Sequence, residues 1–144
     1  MPSYTVDTVI EAPRAVVYEI FADRERNGEF LPVIKTRLKT PGTTERQGVG
    51  AVHFLGVGPA GVSEQITELV PDELIRYKIV AGAPVKSHTG EIRFSDAPDG
   101  TRVVYSMEQI PKFPAPAAAV EFALKNLIGV FISGAKKEAA RRSR

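Results

Sequence analysis

Four residues with chemistry to offer stand on strand faces that are otherwise apolar. Tyr77 lies between Ile75 and Ile79 in LIRYKIVA. His88 alternates with Gly90, Ile92 and Phe94 in SHTGEIRFS, and Tyr105 alternates with Val103, Met107 and Gln109 in TRVVYSMEQI. Glu64 joins this group through Ile66 if VSEQI keeps a two-residue period, and otherwise points to solvent. Buried polar groups must find partners, so a Glu–Tyr–His–Tyr group either satisfies itself or meets a ligand's oxygen atoms. His88 is the candidate general acid–base of the set, and Glu64 or a tyrosine is the alternative. The competing reading makes His88 a strand-end residue beside Lys86 and Ser87. His53 shares a face with Ala51 and Leu55 and is assigned no role.

Other chemistries find less support. The chain has no cysteine, which removes disulfides, thiol catalysis and thiolate metal sites. With two histidines in all, a zinc site would need carboxylates to complete it, and no metal or other cofactor is expected. No G-x-S-x-G elbow is present. GVGPAG at 56–61 is a literal G-x-G-x-x-G, but the helix it implies would end before Pro71. No acidic residue follows IRYKIVAGAP, where a ribose would need one, and the chain then enters a hairpin. The glycines are therefore expected to serve a turn between antiparallel strands, with Pro59 removing an N–H that an anion cradle would use.

These residues must be positioned by the elements around them. TVDTVIEA reads as a strand ending at Pro13, which opens a helix over PRAVVYEIFAD with Val16, Val17, Ile20 and Phe21 as its stripe. A second short helix covers Arg24 to Phe30. LPVIKTRLKT, GAVHFLGV, LIRYKIVA, SHTGEIRFS and TRVVYSMEQI read as strands, and DAPDG between the last two is a hairpin signal. VSEQITELV fits helical and strand periods alike. From Pro114 and Pro116 one long helix closes the chain, with Val120, Ala123, Leu124, Leu127, Ile128, Phe131 and Ala135 as its apolar face. Its uninterrupted apolar run, Lys125 to Lys136, is too short to span a bilayer. Gly129 and Gly134 weaken this helix unless close approach or a kink requires them.

At 144 residues with 43% hydrophobic and 25% charged content, a single domain over 1–144 is expected. The net charge of +2 conceals a basic tail, residues 136–144, with five basic and one acidic residue, on a body of net −2. That body does not suit nucleic acid. The tail completes a helix dipole or, less simply, touches an anionic membrane or RNA. The N-terminus shows no apolar signal segment, so a cytoplasmic location is expected. Monomer and homodimer both stay open.

The order of elements and several phrases resemble the START-like (SRPBCC) superfamily, which includes polyketide cyclase/dehydrase-like proteins and the birch-allergen fold. IEAPRAVVYEIFAD is similar to the family's entry into its first helix, and RERNGEFLPVIK to a segment with two tryptophans, where Asn27 and Phe30 stand here. VSEQITELVPDELIRYKI and GEIRFSDAPDGTRVVYSME resemble its paired strands. The resemblance implies an α+β helix-grip: a curved antiparallel sheet of six to seven strands wrapped around the C-terminal helix, with two short helices after the first strand. It further implies a cavity between sheet and helix. The expected function is binding of a small hydrophobic ligand, lipid-, polyketide- or aromatic-like; the alternative is a cyclase, dehydratase or hydrolase working in the same cavity. Phe30, Leu31 and the Gly82–Val85 loop would border the entrance. Phe54, Ile66, Ile92, Val103, Met107 and Leu127 would grip the apolar part, and Tyr77, His88 and Tyr105 would address a polar group.

Overall fold

The computed structural model describes residues 2–31 and 34–143. Seven strands form one antiparallel sheet: β1 (Ser3–Ile10), β2 (Lys35–Thr40), β3 (Val52–Val57), β4 (Ala60–Val70), β5 (Leu74–Ala81), β6 (Val85–Ala97) and β7 (Gly100–Pro111). Their spatial order is β1-β7-β6-β5-β4-β3-β2, a meander from β2 to β7 with β1 returning beside the last strand. Between β1 and β2 come helix α1 (Arg14–Ala22) and a 3-10 helix (Arg24–Glu29), and α2 (Ala117–Arg142) closes the chain. This is the helix-grip the sequence resemblance implied. Pro32 and Val33, placed in a strand by the sequence pattern, lie outside the described residues.

Register shifts between Ser63 and Glu64, Ile66 and Glu68, and Val85 and Ser87 bend the sheet. The alternation of β5, β6 and β7 then puts Ile75, Tyr77, His88, Ile92, Phe94, Val103, Tyr105 and Met107 on one concave, buried face. α2 lies along β1 and β7 and against α1. An 18-residue stretch of it reaches a mean hydropathy of 1.4, enough by composition to cross a bilayer, but here it is the helix that covers the sheet.

The expected turn between antiparallel strands at GVGPAG is present, and other expectations change. Residues 60–70 form a strand rather than a helix, so the period-2 reading of VSEQI holds and Glu64 faces inward. β3 and β4 join through Gly58-Pro59, with Gly58 at φ +60°, as a mirror-image hairpin turn requires of its first central residue. Gly56 and Gly61 serve a different need: they face each other in the ladder, and a Cβ on either would meet the backbone opposite and the Phe54 ring. In the β6–β7 hairpin the central pair is Pro98-Asp99, with Gly100 already on β7. The buried stripe of α2 is narrower than its apolar pattern: Val120, Leu124, Ile128, Phe131 and Ala135 are buried, whereas Ala123 and Leu127 are exposed.

Candidate functional site

The centre of the concave face is organised by a residue the sequence pattern did not single out. Arg24, the first residue of the 3-10 helix, is 1% exposed. Its backbone follows α1 directly, and Asn27 fixes that junction by donating from Nδ2 to the carbonyls of Ile20 (3.0 Å) and Asp23 (3.2 Å). The Asn27 Oδ1 accepts from Arg24 Nη1 at 3.3 Å, which aims the guanidinium into the interior. There Arg24 Nη2 donates to Glu64 Oε1 at 2.9 Å, and the guanidinium carbon lies 4.7 Å from the Tyr77 ring centroid and 5.8 Å from that of Phe131. Arg24 Nε has no partner among the described residues.

Beside this pair the Tyr77 and Tyr105 hydroxyls meet at 2.5 Å, their rings edge-on with centroids 6.5 Å apart. Gly90 makes the arrangement possible. It stands opposite Tyr77 in the ladder, and a Cβ there would come within 2.2 Å of the Tyr77 Cζ. Burial pushes the Tyr105 phenol up to about 12 and raises Tyr77 too, so both hydroxyls are neutral at physiological pH and can donate. Burial opposes the charge on Arg24, but Glu64 together with the Tyr105 and Tyr77 oxygens outweighs that penalty, and Arg24 stays protonated. The site thus offers one unused cationic donor and a hydroxyl pair, within an aromatic wall of Phe21, Phe94, Tyr105 and Phe131.

The residues proposed from sequence divide. Ile66, Tyr77, Ile92, Val103, Tyr105 and Met107 all lie buried on this face, and Leu31 is buried above it. Phe30 is half-buried, its ring packed on Gly134 of α2, where a Cβ would come within 2.9 Å of Phe30 Cδ2. Phe54 points the other way: on the outer face of β3 its ring lies 4.9 Å from the Arg37 guanidinium carbon. Leu127 is 37% exposed on the solvent side of α2. Both were misplaced for one reason each, the face parity of β3 and the narrow stripe of α2.

His88 and Glu64 face inward but do not meet. His88 Nδ1 pairs with Gln109 Oε1 at 2.7 Å, Glu64 is held by Arg24, and β5 separates the two strands, a spacing of about 10 Å. A direct Glu64–His88 proton relay is therefore absent from this arrangement. His53, assigned no role, is fully buried with Nε2 3.1 Å from Gln47 Oε1. Burial, and then the nearby Arg24 charge, push it down to about 4, so it is neutral at physiological pH. Arg24 was hidden by its neighbours: DRERN reads as a solvated charged run. The available signal was Glu64 itself, since an inward carboxylate on an apolar face demands a cation.

The family described as polyketide cyclase / dehydrase and lipid transport matches residues 1–140. The chain belongs to that family. Among solved structures it is similar to a START superfamily protein from Mycobacterium smegmatis at 12% identity, covering 96% of this chain and 97% of that one with a TM-score of 0.83. It is also similar to the Zhui aromatase/cyclase from a Streptomyces species (19% identity, 99% and 95% covered, TM-score 0.80). A third similar structure is that of Ara h 8.0201 (14% identity, 96% and 97% covered, TM-score 0.76). At these identities the structures establish the fold alone. Among curated proteins none matches the chain.

Proposed function

We propose that this family member binds a small hydrophobic molecule carrying a hydroxyl or carbonyl oxygen, between the concave face and α2, with that oxygen at Arg24 and the Tyr77–Tyr105 pair. The observation that carries this reading is the Nε of a fully buried arginine, without a partner among the described residues and held beside two neutral hydroxyls inside an aromatic wall. An orphaned buried donor costs roughly 1–3 kcal/mol, which a ligand oxygen would recover. Because Glu64 already neutralises Arg24, the site suits a neutral oxygen better than a carboxylate. The aromatic lining suits polyketide- or aromatic-type skeletons. Entry would follow the seam where Phe30 rests on Gly134.

A second reading, catalysis of cyclisation or dehydration in the same space, draws on His88. Its Nε2 is buried without a partner among the described residues, on the same concave face. That atom could take or give a proton to a bound molecule, with Gln109 fixing the ring through Nδ1.

Native mass spectrometry of the purified protein tests the binding reading. The expected result is a co-purifying or added hydrophobic alcohol or ketone retained at one per chain. Failure to retain any such molecule, with the protein folded, would overturn it. Turnover of a bound polyketide lost in His88→Gln, with binding kept, would establish the second reading.

A further inference from the structure

The strands end in two unlike sets of connections. At one end lie Glu11, the Pro71-Asp72-Glu73 turn and the Asp96–Asp99 turn, with the basic tail of α2 beside β1. At the other end the β3–β4 hairpin, the β5–β6 loop and the exit from β7 come together. Gly82 packs against the backbone of Gly61, and the Lys112 N–H donates to the Pro84 carbonyl at 3.0 Å. The three stretches that build this end, residues 51–63, 79–90 and 109–120, contain no aspartate or glutamate. Their tips carry exposed Val57 (56%), Val80 (47%) and Phe113 (55%), and Phe122 (67%) stands near the start of α2 just beyond them.

Three features of this end point to one occupant. Exposed large apolar side chains grouped at loop tips are rare on a free surface and mark contact sites. The lysines around them, Lys35, Lys86, Lys112 and Lys125, are exposed, and every ion pair among the described residues uses an arginine instead. Prolines 59, 84, 111, 114 and 116 fall in the same segments, and each removes a backbone donor that would otherwise need water. Protruding apolar tips, free ammonium groups and few unsatisfied N–H groups suit the headgroup–acyl boundary of a bilayer. A flat, self-complementary patch, as a second copy would need, is not what three separate tips form.

We propose that this end of the molecule docks on an anionic lipid surface, with Val57, Val80 and Phe113 entering the interface and Lys86 and Lys112 facing lipid phosphates. Glu64, Glu91, Glu108 and Glu121 flank the three stretches along the chain. The basic tail is not this surface. It sits at the acidic end, with Arg141 and Arg142 both bound to Glu138.

The chain has no tryptophan, so a single one reports its own surroundings. Phe113→Trp and, as the control at the acidic end, Val9→Trp are titrated with phosphatidylcholine vesicles with and without phosphatidylglycerol. The expected result is a blue shift and quenching by brominated lipid for Phe113→Trp only, on anionic vesicles, weakened by salt. Lys86→Gln and Lys112→Gln should each weaken partition about fivefold, and Phe113→Ser should reduce vesicle binding by the wild-type chain as well. Absence of any shift overturns the proposal, as does a shift at Val9→Trp instead. A concentration-dependent shift without lipid would assign the surface to a second copy. Vesicle binding that needs the lysines but ignores Phe113→Ser would overturn the insertion of the apolar tips.

Discussion

Glu64 and Glu138 are almost equally buried, at 5% and 4% exposed, and both hold arginine, yet the two sites follow different logic. Glu138 receives Arg141 and Arg142 from three and four residues further along α2, a spacing any helix supplies. Hydrogen bonds from Arg141, and then from Arg142, hold its carboxyl down to about 2 against the cost of burial, while the Arg141 side chain stays 55% exposed. Glu64 and Arg24 are 40 residues apart, both buried, and leave one donor unused. Burying such a pair seldom stabilises a fold better than apolar residues of the same size. The first site finishes a helix. The second adds little stability to the fold, which fits the ligand role proposed above.

The largest effect should come from breaking that contrast on one side only. Arg24→Met leaves Glu64 charged and unpaired in the interior, a loss of about 3–5 kcal/mol in chemical denaturation. The double change Arg24→Met/Glu64→Leu should match or exceed the wild type in stability. Glu138→Gln should produce a much smaller loss than Arg24→Met, and parity between the two would remove the distinction.

Next, Gly90→Ala should cost about 1–3 kcal/mol by forcing Tyr77 off its place and away from Tyr105. The near-ultraviolet dichroism of the tyrosines would report the displacement. An unchanged spectrum and stability would show that the hydroxyl pair does not depend on Gly90.

Acid should separate the sites as well. His53 protonates near 6.5 when unfolded but only at about 4 when folded, so the unfolded chain takes up the proton first. Its contribution is present above pH 6.5 and lost as the pH falls from there to about 4. Glu138 contributes above the ordinary carboxylate value of 4.5, and that part is lost as the pH falls toward 2. His53→Leu should flatten the upper window of the stability profile and leave the lower one intact.

The smallest effect supplies a baseline on α2 itself. A Cβ at Gly129 meets nothing within 4 Å, so Gly129→Ala should stabilise by about 0.5–1 kcal/mol through helix propensity alone. Gly134→Ala, pressed by Phe30, should not, and thermal unfolding of the two variants distinguishes them.

The fold was legible because its signals were local. Alternation in β5, β6 and β7 set the concave face, and Pro13 and Pro116 stand at the N-caps of α1 and α2. Tyr77 and Tyr105 were found for the same reason, since period and face parity follow directly from sequence. Arg24 was not, because its burial depends on the angle at which the 3-10 helix leaves α1, a tertiary fact with no periodicity of its own. Phe54 and Leu127 failed where apolar character was taken for inward direction. Glu64 required the choice between two periods, which the pairing of β4 with β3 and β5 settles.

The central claim is that Arg24 and the tyrosine pair read an oxygen atom on a hydrophobic molecule. Fluorescence titration with 2-naphthol and 2-methylnaphthalene tests it most directly, since the two differ only in hydroxyl against methyl. The wild-type chain should prefer 2-naphthol about tenfold or more, the scale of one hydrogen bond to a charged group. Arg24→Met/Glu64→Leu should lose that preference while still binding 2-methylnaphthalene. The same ratio in both proteins, or binding of neither compound by the wild type, would contradict the account.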